Sequence, residues 1–154
     1  MIVVAIIGLL AAIATPNLLR ARISANEGAV KYDLRTFGAA CESYRSSHSQ
    51  SQYPSSLSDL TGASPPYLDA TWNNVGSGGA GKHGFTMTYA SRNSGYGFTL
   101  LASPISGQAV NTYCMDHTGT IESAASGVTA ESSGCATGAS NPPPALPPVA
   151  SPFQ

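Results

Sequence analysis

The side chains that could carry chemistry are few and widely separated along the chain. Six of them could bind a metal through sulfur or imidazole nitrogen: Cys41, Cys114, Cys135, His48, His83 and His117. No two cysteines have the CxxC spacing, and the histidines do not cluster with the cysteines, so a structural zinc site is not expected.

Catalytic patterns are also lacking. Asp116 and His117 are neighbours on a predicted strand, where adjacent side chains point to opposite faces, so they do not form a dyad. The serines do not occur in a GxSxG elbow. The stretch Gly76–Gly81 resembles a phosphate-binding loop only superficially, because His83 follows Lys82 where the P-loop needs Ser or Thr and no buried strand is predicted before it. The sequence therefore predicts no enzyme activity, no catalytic residue, no metal and no cofactor.

Charge is sparse and balanced. The 154 residues include 7 basic and 8 acidic side chains, and only 10% of the chain is charged, against about a quarter in an average protein. There is no basic tract of the kind that binds nucleic acid. Lys82 and Arg92 could contact DNA or a surface, but scattered charges of this kind are typical of ordinary solvated surface. No dedicated nucleic-acid site is predicted.

The start of the chain is strongly apolar. Met1–Ala14 has no polar side chain, and the first charges are Arg20 and Arg22. Such a segment needs to be covered by a membrane, a protein core or copies of itself. Its length lies between the length of a typical buried helix and the length of a helix that spans a membrane. No basic residue precedes it, which disfavours a signal peptide. The residues expected to be covered are Ile2, Val3, Val4, Ile6, Ile7, Leu9, Leu10, Ile13, Leu18 and Leu19.

An amphipathic helix is predicted to continue directly from this segment to Ser46–Ser49. Its apolar stripe has helical spacing and consists of Ile23, Val30, Leu34, Phe37, Cys41 and Tyr44. Glu27 and Lys31 are expected to form an i,i+4 ion pair on another face. A single helix from the first residue would be about 70 Å long at roughly 1.5 Å per residue, so its apolar end would protrude. Gly8 and Pro16 predict a kink within it.

The remainder predicts a small antiparallel sheet. Three runs of alternating apolar and polar residues follow a connection. This connection is expected to contain one short helical turn at Ser56–Leu60 and to pack on the core through Tyr67, Leu68 and Trp72. These runs are Phe85–Tyr89, Tyr96–Leu100 and Val110–Met115, with a further short strand at Thr120–Glu122. One face of the sheet would be apolar and the other rich in threonine. The apolar face is expected to pack on the helix stripe, which gives an α+β fold.

The cysteines predict one disulfide and one buried thiol. Cys114 and Cys135 lie in Ser- and Gly-rich surroundings, and a bridge between them would close a loop of roughly 20 residues and stabilise the fold by about 3 kcal/mol. Cys41 lies on the helix stripe and is expected to be a small buried hydrophobe. A bridge involving Cys41 is the alternative. The segment Ser123–Ser140 is otherwise expected to be loop, and the Pro-rich residues 141–154 an extended tail.

Several segments carry a family resemblance. The stretch VVAIIGLLAAIATPNLLRARISANEGAVKYDLRT resembles the N-terminal helix of type IV pilins and pseudopilins, and GFTMTYA, GYGFTLLA and TYCMDHTGTIE resemble their C-terminal sheet. The family's leader peptide, methylated phenylalanine and early glutamate have no counterpart here. The explanations are a misassigned start codon, a trimmed sequence or an atypical member of the family, and the first two are favoured.

The resemblance implies a long protruding helix packed on a β-meander, in a subunit that has no catalytic role. Such a subunit would sit in the inner membrane, interact with assembly machinery, and then polymerise with copies of itself into a cell-surface filament. A pseudopilin of a type II secretion-like system, or a minor pilin or adhesin that binds DNA or surfaces, is the alternative. Some relatives bind calcium, for which Asp116, Glu122 and Glu131 are candidate ligands, although EF-hand spacing is lacking.

The predicted parts follow from these features. The helix has an apolar membrane or filament-core half (1–22) and an amphipathic half (23–49). A connection (50–83), the sheet with its disulfide loop (84–140) and a tail (141–154) follow.

Overall fold

The chain forms one long helix and a small antiparallel sheet, and its fold class is α+β. The structure is a computed structural model that describes residues 2–76, 78–125, 128–131 and 134–137, with only the backbone of 11–16, 131 and 137. The helices are α1 (Ile2–Ser47) and α2 (Leu57–Thr61), with short 3-10 turns at Ala70–Asn74 and Asn93–Gly95. The strands are β1 (Phe85–Arg92), β2 (Gly97–Pro104), β3 (Thr112–Asp116), β4 (Ile121–Ala124), β5 (Val128–Glu131) and β6 (Gly134–Thr137).

Helix α1 confirms the amphipathic pattern of its second half. Its stripe is fully buried from Val30 to Cys41, whereas Ile23 and Tyr44 at the two ends are partly exposed. The backbone is helical without interruption past Gly8 and Pro16, and the kink stays a prediction. The helix ends at Ser47, inside the predicted interval.

Strands β1 to β4 form a meander in that spatial order, all antiparallel. The register places Tyr89, Leu100 and Met115 side by side on the face that meets α1, with Ile121 next to them on β4. Phe37 from the helix packs against Trp72, Tyr89 and Phe98, at centroid distances of 5.4 to 5.9 Å. The predicted packing of an apolar sheet face on the helix stripe is therefore confirmed.

The outer face of the sheet differs from the prediction. Residues 128–131 and 134–137, which the sequence predicts as loop, pair as the hairpin β5–β6 and lie against β2, β3 and β4. Thr99 on the supposedly solvent-facing side of β2 is consequently buried. The hairpin is short and its sequence polar, so its stability depends on contacts with distant residues that local patterns do not reveal.

The connection 50–83 wraps the helix–sheet core and covers one edge of β1. Helix α2 follows Ser56, one residue later than predicted, and buries Leu60; Leu68 and Trp72 are buried as expected, and Tyr67 is partly buried. The amide of Met87 donates to the carbonyl of Val75 (2.7 Å), while Lys82 and Phe85 exchange backbone hydrogen bonds. The connection thus hydrogen-bonds to part of the edge of β1 that does not pair with β2.

Two local predictions near the β2–β3 loop are wrong. Glu27 does not pair with Lys31; its Oε1 accepts hydrogen bonds from the amide (3.2 Å) and side chain (3.0 Å) of Asn111. Lys31 instead lies over the ring of Tyr113. Val110 precedes β3 rather than starting it and is exposed. The carboxylate finds amide donors brought close by the fold, which a pattern within the helix cannot anticipate.

Candidate functional site

The largest unexplained feature of the molecule is the first part of α1. Nine large aliphatic side chains in it are between 53 and 77% exposed, although Ile, Val and Leu are among the residue types most often fully buried. They are Ile2, Val3, Val4, Ile6, Ile7, Leu9, Leu10, Leu18 and Leu19. We call this set the exposed apolar segment.

The exposed apolar segment is apolar on every side of the helix. Residues 2–4, 6 and 7 span nearly two turns, at 3.6 residues per turn, and are all exposed. A helix that rests on its own domain shows a single apolar stripe, as residues 30–41 do. All-round apolarity is typical of helices that are covered on every side, and the described part of the domain does not cover this segment.

The described residues outside α1 show no comparable surface. The core is closed by the helix stripe, the inner sheet face and the anchors of the connection. Among these described residues the large apolar side chains that remain exposed are scattered, namely Tyr96 and Val110. Tyr32 is exposed on the helix. Nine of the ten residues expected to be covered thus make up the main exposed apolar surface of the described structure.

Some of the predicted site residues lie outside what can be described. The side chains of Ile13 and Pro16 belong to the helical stretch of which only the backbone is described. Gly8 has open space around it, since an added Cβ would meet nothing within 4 Å. Within the described residues, no helix is both long and apolar enough to cross a membrane.

The cysteines form the predicted disulfide and leave the predicted buried thiol. Cys114 and Cys135 are joined by a disulfide, with their Cα atoms 5.7 Å apart, which links β3 to the outer hairpin. Cys41 is free and fully buried. Burial, and to a smaller extent the charge of Glu42, raises the pKa of the Cys41 thiol, so this thiol is not activated for chemistry.

Lys82 and Arg92, the cations considered for binding DNA or surfaces, are engaged within the fold. Arg92 donates to the carbonyl of Ala130 (3.1 Å) and to the hydroxyl of Thr99 (3.3 Å), and so holds the outer hairpin on the sheet. Lys82 pairs with Asp33 at 3.0 Å and lies over the ring of Trp72. Neither side chain is presented for a partner.

Asp33 is a buried carboxylate that was not among the predicted site residues. Its side chain is only 7% exposed, and His83 lies on its other side, with Nε2 3.5 Å from Oδ2. The signal was present in the sequence, because Asp33 follows Val30 by three residues and therefore lies on the apolar stripe. A carboxylate in such a position needs a cation, which the connection supplies.

Of the candidate calcium ligands, Asp116 is engaged in local hydrogen bonds. Its Oδ1 accepts from the amide (2.9 Å) and hydroxyl of Thr118. Glu131 has no described side chain, so its candidate role is outside the described residues. Among the residues described, no three His, Cys, Asp or Glu side chains are grouped as metal ligands. A Cβ added to Gly97 would lie 3.3 Å from Nδ1 of His117, so this imidazole packs close to the backbone of β2.

Comparisons with known proteins add no constraint on this site. No protein-family model matches the chain, and no match is found among curated proteins or among solved structures. Its geometry and sequence pattern therefore carry the functional argument.

Proposed function

We propose that the chain is the structural subunit of a type IV pilus-like filament that forms by burying the exposed apolar segment among copies of itself. The observation that supports this most strongly is the segment's all-round exposure on a helix whose other half is anchored in a closed domain. The resemblance to pilins in the helix points to the same function.

The energetics favour burial among neighbours. Moving one large aliphatic side chain out of water contributes on the order of 1.5 to 3 kcal/mol. Nine such side chains, each more than half exposed, supply a driving force of the same order as the cost of associating two subunits, which is about 4 to 15 kcal/mol. Contacts of one segment with several neighbours add to this driving force. The segment contains no charge between Ile2 and Leu19 to oppose this burial.

The geometry favours an open polymer over a closed dimer. The segment lies at one end of a helix of 46 residues, about 70 Å long at roughly 1.5 Å per residue. The domain occupies the other end. Subunits that pack their segments side by side with an axial shift make head-to-tail contacts, which extend into a fibre when the rotation does not close. Before assembly, the same segment would hold the subunit in the inner membrane.

Fibre formation after removal of detergent tests this function, with electron microscopy to identify the fibres and sedimentation to measure their mass. The test compares variants of two valines. Val4 lies in the exposed apolar segment and Val110 is an exposed valine of the domain. We expect Val4→Gln to reduce the mass of sedimented fibres at least fivefold, since a buried amide without partners is costly. Val110→Gln should leave fibre mass unchanged within twofold. Fibres that form equally well from both variants would contradict the proposal.

The salt dependence of assembly offers an independent check. An apolar core without charges predicts that raising NaCl from about 0.1 to 1 M, where the Debye length falls from about 10 to 3 Å, leaves fibre mass unchanged or increased. Fibres that dissolve at high salt would show that ion pairs, and not the apolar segment, hold the subunits together.

A further inference from the structure

A cavity of about 470 Å³ lies where the end of α1 meets α2 and the connection. Its walls include three aromatic rings, from Tyr44, His48 and Tyr67, together with Asp59. We call it the aromatic cavity. Its volume falls within the range of small-ligand sites, roughly 300 to 1,000 Å³.

The rings are arranged as two walls at a steep angle. Tyr44 stacks on His48, with centroids 3.9 Å apart and planes 19° apart. Tyr67 stands edge-on to Tyr44, with centroids 5.6 Å apart and planes 67° apart. A hydrogen bond of 2.5 Å joins the hydroxyls of Tyr67 and Ser47. The three rings thus pack against one another at the wall of the cavity, and an organic cation within about 6 Å of a free aromatic face is attracted to it.

Asp59 gives the wall of the cavity a negative charge. Burial opposes the ionisation of Asp59, but hydrogen bonds from Ser55 and Ser56 outweigh it and lower the pKa of Asp59. Burial, followed by the negative charge of Asp59, raises the pKa of Tyr44. The C-terminal end of α1 adds the negative end of its helix dipole.

Among the described residues that line the cavity there is no lysine or arginine. Arg45, on the last turn of α1, is held over the ring of Tyr53 and bonded to its hydroxyl at 2.8 Å. Hydrogen bonds from Ser55 and Ser56 go to Oδ2 of Asp59 and fix the orientation of its carboxylate.

We propose that the aromatic cavity binds an organic cation of the guanidinium or alkylammonium class, held by the tyrosine rings and by Asp59. The cation could be a free small molecule or an arginine or lysine side chain of a second copy, and the latter source rests on the proposed self-assembly. Both use the same chemistry, so the first experiment needs no assembly.

Titration of the full chain, dispersed in a non-ionic detergent at pH 8, tests the cavity directly. Methylguanidinium chloride is the probe and methylurea its neutral match, and the amide NMR signals of Gly62 and Ala63, which line the cavity, report binding. We expect saturable shifts with methylguanidinium and none with methylurea. Equal effects of the two compounds, or no saturation, would overturn the proposal.

Variants of Tyr67 distinguish the contribution of its ring to binding from that of its hydroxyl. Tyr67→Leu should weaken methylguanidinium binding at least fivefold, and Tyr67→Phe should retain it within twofold because the ring remains. Tyr96→Leu, a change at an exposed tyrosine elsewhere, is the matched control and should have no effect. If Tyr67→Leu proves unstable, His48→Ala at an exposed position should still weaken binding at least twofold. Unchanged affinity in the folded variants would refute the assignment.

The source of the cation is then resolved by fibre assembly. If it is a side chain of a second copy, saturating methylguanidinium should slow fibre growth at least twofold relative to methylurea. Growth that is insensitive to methylguanidinium assigns the cavity to a free cation. Assembly that fails altogether would contradict the proposed function while leaving the titration result intact.

Discussion

Nζ of Lys82 lies 3.0 Å from Oδ1 of Asp33, and this ion pair joins the connection to the middle of α1. Asp33 is the more deeply buried partner, and His83 approaches its other carboxylate oxygen. Trp72 covers the lysine from one side. The connection is thereby fixed to the helix by a charge contact placed within an otherwise apolar core.

Removing Lys82 is expected to be costly because it leaves the Asp33 carboxylate buried without its cation. Lys82→Met should lower the free energy of unfolding by about 3 kcal/mol, measured by urea denaturation followed by circular dichroism. Combining it with Asp33→Asn should recover most of the loss. Lys31→Met is the matched control, since Lys31 is exposed over Tyr113, and should cost below about 1 kcal/mol. Equal costs for the two lysines would contradict the interpretation.

Two glycines of α1 should respond differently to alanine. Gly28 has open space around it, so Gly28→Ala should stabilise the protein by about 0.5 to 1 kcal/mol through helix propensity. A Cβ on Gly38 would lie 2.7 Å from Cε of Met115, the flexible end of a buried side chain of β3. Met115 must shift to admit it, so Gly38→Ala should lose most of the propensity gain and be less stable than Gly28→Ala by about 0.5 to 1 kcal/mol. Thermal unfolding of the pair measures the difference, and equal stabilisation of both variants would contradict the expected crowding at Gly38.

The disulfide is expected to stabilise the outer hairpin. It closes a separation of 21 residues, for which the loss on reduction is about 3 kcal/mol. The double variant Cys114→Ser/Cys135→Ser should show this loss in urea titrations. A dithionitrobenzoate assay on the unreduced native protein should detect no reactive thiol, because Cys41 is buried, and one thiol after denaturation. Labelling of Cys41 in the native state would disprove its burial.

Acid should loosen the contact between α1 and the β2–β3 loop. Partial burial opposes the ionisation of Glu27, but hydrogen bonds from Asn111 and Val110 outweigh it and lower its pKa below the ordinary 4.5. The stability from this carboxylate is then present above that value and is lost as the pH falls through the lowered pKa. Between about pH 5 and pH 3 the wild type should lose more stability than Glu27→Gln. Parallel acid branches would refute this role for Glu27.

Local patterns were enough to predict the long helix and the inner face of the sheet, because Val30, Leu34 and Phe37 repeat with helical spacing and Phe85, Met87 and Tyr89 alternate. The outer hairpin could not be predicted in this way. Its position depends on Arg92 reaching Ala130 and on a disulfide, which are contacts between residues 21 to 38 positions apart. The exposed apolar segment was recognised from composition alone.

The edge of β1 limits how copies of the chain can join. Because the amide of Met87 is already bonded to Val75 and the backbone of Phe85 to Lys82, a foreign strand could add to this edge only by breaking hydrogen bonds within the chain. Such strand addition is the common route by which exposed sheets aggregate. At Phe85–Met87 the connection therefore blocks amyloid-like strand addition, which is compatible with the proposed assembly through the helix.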